Sequence, residues 1–199
     1  KEMAEKLLNK EDFYDICQEY GLAYPKTYIY KKGEELAIHF SFPVILKPSS
    51  TVEYQKIDFA EKEKVYILHD LASVEALLDK IYTNLYEDNL IIQEYIPGDD
   101  SSMYVLNCYS NRFGEVKMMS LGNVLIEEKA PLFIGNYAAI TDADNEELCL
   151  QVKAFLEKIN YVGISNFDIK YDYRDGKYKF FEVNLRQGRS SFYVYGAGA

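Results

Sequence analysis

The chain is 199 residues long with 48% hydrophobic content, enough for one large domain or two smaller lobes. With 32 acidic and 22 basic residues it carries a net charge of −10. Such a chain repels nucleic acid and anionic membrane surfaces, so neither is expected as a partner, and a phosphate site must be a local basic feature. Cys17, Cys108 and Cys149 lie far apart, and His39 and His69 form no cluster with them. That pattern argues against structural zinc and suits reduced thiols, so a cytoplasmic location is expected. No apolar run reaches membrane-spanning length and no signal-peptide pattern is present. Lys1 falls within a helical pattern and Gly196-Ala197-Gly198-Ala199 ends without a cap, so a piece of a longer protein is expected.

The first clear element is a helix near residues 10–20. Asn9 suits its N-cap, Phe13, Ile16, Cys17 and Tyr20 share a face, and Gly21 suits the position after its end. Pro25 starts an extended stretch through Tyr28 and Tyr30. Phe42 to Lys47 and Val65 to Leu68 are predicted strands, joined by a flexible polar loop from Ser49 to Glu63. Residues 74–85 form an amphipathic helix with Val74, Leu77, Leu78, Ile81 and Leu85 on one face and Ser73 as N-cap. Leu90 to Tyr95 is an apolar strand that ends in a Pro97-Gly98 turn. Strands follow at Tyr104 to Cys108 and Val116 to Leu125, then a helix over about 143–159, then strands at Ile164 to Tyr171 and Tyr178 to Asn184. Helices mixed with runs of antiparallel strand predict an α+β fold.

The last two strands carry the most chemistry. Asp175-Gly176 makes them a hairpin. A two-residue turn there would mix apolar and polar residues on each face. A three-residue loop, Arg174-Asp175-Gly176 with Gly176 left-handed, sorts them. Phe167, Ile169 and Tyr171 then share a face with Phe181 and Val183. The other face gathers Asn166, Asp168, Glu182 and Asn184, with Asp168 opposite Glu182. A one-residue slip would flip every side chain, so the sorted register is predicted. Like charges facing each other destabilise a strand pair, and a cation such as magnesium, which takes hard oxygen ligands, would compensate. Arg186 and Arg189 follow on the exit segment. A solvated polar sheet face with incidental ion pairs would carry the same residues.

Lys47 closes a buried strand, where an unpaired charge is costly; it can reach a nucleotide phosphate, or simply snorkel to water. Lys64 starts the next strand in the same manner. The loop between them lacks the glycines of a phosphate cradle, and no Walker or GxGxxG pattern occurs anywhere. At Gln93-Glu94-Tyr95-Ile96-Pro97-Gly98-Asp99-Asp100 a buried strand turns into two acids. Backbone groups there could read a purine edge and an acid could hold ribose hydroxyls, although a strand, a turn and two surface aspartates explain the same residues.

Taken in order, the lysine in FPVILKP, the strand exit in IIQEYIPGDD and the acidic strand in FFEVNLRQGRSS resemble the ATP-grasp superfamily over nearly the whole chain. NLRQGRSSFY, with the segment Gly135 to Ile140, most resembles carboxylate–amine ligases of the D-aspartate ligase type, which serve bacterial cell-wall synthesis. The resemblance implies two α+β lobes with mainly antiparallel sheets clasping ATP, following an N-terminal domain of the same chain that is absent here. Residues 1–95 with the leading helix would form the first lobe, and residues 96–199 the second, which holds the metal site. Lys47 and Lys64 would contact ATP phosphates, the hinge Glu94-Tyr95-Ile96 would bind adenine, and Asp99 or Asp100 the ribose. Asp168, Glu182 and Asn184 would ligate Mg²⁺ or Mn²⁺. Arg186 would stabilise the transferring phosphoryl group, and Arg189 and Ser190 could hold a substrate carboxylate or phosphate. The loop after Lys47 departs from the family in lacking a glycine-rich tract, and Lys62 competes with Lys64 for the second lysine.

The implied reaction phosphorylates a small carboxylate with ATP and lets an amine, of an amino acid or peptide, displace phosphate to leave an amide. Positioning and charge neutralisation would carry the rate, with no Ser or Cys nucleophile. A carbamoyl-phosphate-synthase-like or peptide-forming ATP-grasp enzyme would keep the same nucleotide residues. A non-catalytic nucleotide-binding module would keep the fold alone.

Overall fold

Leu90, Ile91 and Ile92 are completely buried, and a strand with no exposed face must lie inside a sheet rather than at its edge. The computed structural model, which describes residues 2–128, 136–188 and 190–191, puts that strand at the centre of one of two antiparallel sheets. In chain order the elements are α1 (Glu2–Leu8), α2 (Lys10–Tyr20), β1 (Thr27–Tyr30), β2 (Val44–Pro48), α3 (Thr51–Gln55), β3 (Tyr66–Leu68), α4 (Leu71–Thr83) and β4 (Leu90–Glu94). They continue with β5 (Met103–Ser110), β6 (Val116–Glu127), β7 (Tyr137–Asp142), α5 (Glu146–Lys158), β8 (Gly163–Asp172) and β9 (Lys177–Asn184). Residues 25–96 form one unit, and residues 1–24 with 97–199 form the other.

In the unit of residues 25–96 the strand order is β1-β4-β2-β3. Helix α4 lays Val74, Leu78 and Ile81 against Val44, Leu46, Leu90 and Ile92. Its N-cap is Asp70, not Ser73: the Asp70 carboxylate accepts from the Ser73 N–H at 2.7 Å. A carboxylate is the stronger acceptor at the positive end of a helix, so the helix starts a turn earlier than the apolar pattern indicates. It also ends earlier, and Leu85 lies beyond it, 79% exposed with φ 67. The segment from Ser49 to Glu63 holds a short helix, α3, instead of a flexible loop throughout. Ser50 caps it, and Tyr54 buries against Tyr86 and shares a 2.8 Å hydrogen bond with the Tyr66 hydroxyl.

The other unit is a five-stranded sheet in the order β7-β6-β5-β8-β9. Helices α1, α2 and α5 cover one face, where Phe13, Ile16, Cys17, Leu148, Val152 and Phe155 pack with Leu106, Phe167, Ile169, Phe180 and Val183. Asn9 caps α2 and Gly21, in the left-handed region at φ 72, ends it. The leading helices therefore pack here and not with residues 25–95. A backbone bond from the Phe180 N–H to the Ala23 carbonyl, 2.8 Å, ties the end of that segment to β9. Strand β7 has no counterpart in the predicted elements.

The β8–β9 hairpin keeps the predicted pairing where the acids lie: Asn166 faces Asn184, Phe167 faces Val183 and Asp168 faces Glu182. Nearer the tip the register shifts by one, so that Ile169 faces Phe180 and Asp172 faces Lys177. The tip is a four-residue loop, Tyr173 to Gly176, instead of three. Gly176 is left-handed as predicted (φ 69), and its N–H donates to the Asp172 carbonyl at 2.8 Å. A β-bulge around Phe181 absorbs the difference and puts Phe180, not Phe181, on the helix-covered face. The larger apolar contact decides it: Phe180 is fully buried against Phe167, while the Phe181 carbonyl accepts from the Tyr14 hydroxyl at 3.1 Å. Phe180→Ala should therefore cost about 3–5 kcal/mol in denaturant unfolding, and Phe181→Ala clearly less. Equal losses would argue against the bulge.

Candidate active site

Side chains alternate across a strand, so the residues that flank Phe167 project from the face opposite the helices. There Val105, Asp168 and Glu182 form one row across β5, β8 and β9, and Asn107, Asn166 and Asn184 form the next. The two carboxylates repel, and the structure surrounds them with donors. The Asn184 Nδ2 lies 3.4 Å from the Asp168 Oδ2 and 3.5 Å from the Glu182 Oε1. Tyr137, on β7, donates its hydroxyl to the Asp168 Oδ1 at 2.8 Å. Burial first, and the Asp168 charge second, push the Tyr137 phenol well above its ordinary range, so it stays protonated and a donor.

Hard oxygens of this kind suit a small divalent cation that keeps several ligand positions for phosphate and water. Among the described residues no group of three or more His, Cys, Asp or Glu side chains could hold a metal. The candidate set is accordingly two carboxylates and one amide, and it fits a cation shared with a phosphorylated substrate. Beyond Asn184 the chain leaves the sheet. Arg186 is exposed there, and the Ser190 hydroxyl accepts from the Asn166 Nδ2 at 2.9 Å. Arg189 lies outside the described residues.

In the unit of residues 25–96, Lys47 sits on β2 with its Nζ 3.2 Å from the Gln93 Oε1, and the Gln93 Nε2 donates to the Thr27 Oγ1 at 2.8 Å. Lys64 is exposed just before β3. Lys62 donates to the Ile57 carbonyl and lies 5.2 Å over the Tyr54 ring. At the strand exit the Glu94 N–H donates to the Lys26 carbonyl at 2.9 Å, and the Glu94 carboxylate accepts from the Lys26 N–H at 2.9 Å. The Tyr95 N–H donates to the Pro43 carbonyl at 3.3 Å, and Ile96 is buried. Both the N–H and the carboxylate of Glu94 are thus engaged by Lys26, just before β1.

Asp99 and Asp100 belong to the other unit. Asp99 caps a single 3-10 turn, Asp100–Ser102. It accepts from the Ser101 hydroxyl at 2.6 Å, and these bonds hold its carboxyl below the usual range. Asp100 accepts from the Glu127 N–H at 3.0 Å. Lys170, on the acidic face, donates to the Gly98 carbonyl at 3.1 Å, and burial lowers its pKa. Sequence reasoning missed Tyr137, Asn107 and Lys170 as members of this face. Tyr137 was visible only as part of a segment used for family likeness; the sequence carries no periodic signal for a contact 31 residues away.

No family model matches the chain. Its structure resembles an L-amino acid ligase from Bacillus licheniformis (TM-score 0.66, 20% identity, 96% of this chain and 43% of that one). It also resembles a D-alanine–D-alanine ligase from Bacillus anthracis complexed with ATP (TM-score 0.65, 16% identity, 96% and 60%). With its two antiparallel sheets, the chain has the ATP-grasp fold of such ligases. Enzymes of that class use ATP and divalent metal ions in general. Within it the chain is related to D-aspartate ligase of Enterococcus faecium (strain Aus0004), with 48% identity over 198 residues, 96% of this chain and 47% of that protein. The chain spans about half the length of the curated relatives it matches. No helix among the described residues is long and apolar enough to cross a membrane.

The hairpin that carries the acids is anchored at its tip by Asp172. Its buried carboxylate accepts from the Arg174 Nε at 2.8 Å and Nη2 at 2.7 Å. The Arg174 bond, foremost, lowers the Asp172 pKa. A folded-state pKa below the unfolded one gives stability that is present above the unfolded value of about 3.9 and lost as pH falls through the folded value. Arg174→Ala should therefore lower the melting temperature at pH 7, with the gap from the parent closing below about pH 3.9. A gap that persists unchanged at low pH would count against the pair.

Proposed function

We propose that the protein to which this chain belongs is an ATP-dependent carboxylate–amine ligase that takes a D-aspartate-like amino acid as one substrate, in peptidoglycan precursor synthesis. The observation that carries the proposal is Asp168 facing Glu182 with Asn184 beside both, in a chain 48% identical to D-aspartate ligase. A carboxylate is a poor acyl donor because its leaving group would be oxide. Transfer of the γ-phosphoryl group of ATP to a carboxylate oxygen forms an acyl phosphate and releases ADP. An amine then attacks the acyl carbon, the C–N bond forms, and phosphate leaves with the bonding pair.

Lys47, held in place by Gln93, and Lys64 would neutralise ATP phosphates, with Arg186 countering charge on the transferring group. The backbone of Glu94, Tyr95 and Ile96 would read the adenine edge, and Asp99 the ribose. Asp168, Glu182 and Asn184 would hold Mg²⁺ or Mn²⁺, which supplies charge neutralisation at the phosphates when bound. Ser190 and Arg189 would bind a substrate carboxylate or phosphate. Tyr137, a protonated donor, would keep the Asp168 carboxylate oriented.

The test uses the full-length protein, ATP, and D-aspartate, L-aspartate or D-alanine with an amine acceptor, reading ADP release. Glu182→Ala should lower turnover on the order of a hundredfold or more while its circular dichroism and melting profile stay close to the parent's. Normal turnover by that folded variant would remove the metal assignment. Lys47→Ala should weaken ATP binding by about tenfold or more in calorimetry, the scale of one lost charge-assisted bond. An unchanged affinity would take Lys47 out of the phosphate site.

A further inference from the structure

Beside the row of acids lies a row of three amides, Asn107, Asn166 and Asn184, side by side on β5, β8 and β9. Asn107 is 2% exposed and Asn166 4%. The two face each other at 2.8 Å, with the Asn166 Nδ2 donating to the Asn107 Oδ1. The same Asn107 oxygen accepts from the Ser191 hydroxyl at 3.3 Å. Its oxygen is thus used twice, whereas its Nδ2 meets no acceptor among the described residues. A buried N–H without a partner is costly, and native structures retain one mainly where something else completes it.

Two other buried polar atoms share that state, the Ser110 and Ser165 hydroxyls. A hydroxyl can rotate its proton toward whatever acceptor is nearest, and Ser165 pairs with Cys108 on the helix-covered face. The amide has no such freedom: its two N–H bonds are fixed in the plane set by its oxygen's partners. The Asn107 Nδ2 is therefore a fixed donor on the face that carries Asp168 and Glu182.

We propose that Asn107, oriented by Asn166 and Ser191, is a ligand-binding residue that donates to an anionic oxygen, either a substrate carboxylate or a phosphoryl oxygen. An amide suits the place better than a cation. Beside two carboxylates, a lysine or arginine would be drawn into ion pairs with them and would compete with a metal for the same oxygens. A neutral donor recognises an acceptor without that competition. The pairing also fastens the exit segment: Ser190 and Ser191 bind the same two amides, so the segment that carries Arg186 is tied to the sheet at the proposed subsite. The source of the anion rests on the ligase function proposed above; the existence of the subsite does not.

The experiment titrates full-length protein calorimetrically with D-aspartate and, separately, with inorganic phosphate. It compares the parent with Asn107→Asp and Asn107→Leu. The leucine variant removes the donor without adding charge. The aspartate variant keeps an oxygen for Asn166 and Ser191 but adds a negative charge, so its loss counts only where the leucine variant shows it too. Both variants should bind one of the two anions tenfold or more weakly, with affinity for ADP in the presence of Mg²⁺ unchanged. Weakened D-aspartate binding assigns a carboxylate subsite, and weakened phosphate binding a phosphoryl subsite. Parent-like binding of both anions by either folded variant overturns the proposal, with water completing the amide instead. So does failure of the parent to bind either anion, or an equal loss of ADP. In the parent itself the Asn107 side-chain amide resonances should shift on adding the bound anion, and an unmoved signal overturns the proposal without any variant. If the parent shows no ATP turnover yet binds an anion through Asn107, the ligase function falls and the subsite stands. Turnover indifferent to Asn107 gives the reverse.

Discussion

Two like charges set directly across a pair of strands cost stability, and the larger unit is organised around the pair Asp168 and Glu182. Each neighbour lessens that cost without removing the charges. Asn184 offers its amide to both acids. The Tyr137 hydroxyl, kept protonated by burial and by the acid it serves, binds one Asp168 oxygen. Asn184 and Tyr137 are neutral donors, and Lys170 stands on the same face. Two carboxylates side by side on a sheet face suit a positive ion and the anions that come with it.

The unit of residues 25–96 solves the opposite problem. Lys47 is a cation at the end of a buried strand, and Gln93 and Thr27 hold it in a chain of hydrogen bonds. A long flexible side chain fixed before a ligand arrives loses less entropy on binding. The neighbouring strand exit is equally settled, since the Glu94 and Tyr95 amides are bonded to Lys26 and Pro43. Both features are properties of the sheet itself, set by β4 lying between β1 and β2.

What was legible in the sequence was local or governed by parity. Asn9 and Gly21 mark the ends of α2 because capping is decided within four residues. The pairing of Asp168 with Glu182 followed from sorting polar from apolar positions, and the ATP-grasp fold followed from three motifs in order. Other features depended on distinctions that a pattern does not hold. Phe180 and Phe181 are identical in type, so nothing in the alternation says which one faces the helices. Helix α3 is five residues long, too short to show a period. Asp70 and Ser73 are both good caps, and only the geometry of the turn chooses between them. The Tyr137–Asp168 bond and the packing of residues 1–24 with the second sheet are long-range facts. The roles of Lys47, Lys64, Glu94, Tyr95, Ile96, Asp99 and Arg186 rest on likeness and position.

The bulge around Phe181 has a consequence for how this hairpin can change over generations. Between the acid pair Asp168–Glu182 and the tip pair Asp172–Lys177, β8 takes four steps and β9 five. The extra residue acts as a spacer that separates the two ends. At the tip, insertions or deletions in the loop from Tyr173 to Gly176 have somewhere to be absorbed, so that end is open to drift. Deleting the residue between Glu182 and Asn184, where the pairing is regular, would instead turn Asn184 toward the helix-covered face and away from the acids. Tolerance to length change should therefore fall abruptly along a single strand, from permissive to forbidden within a few residues.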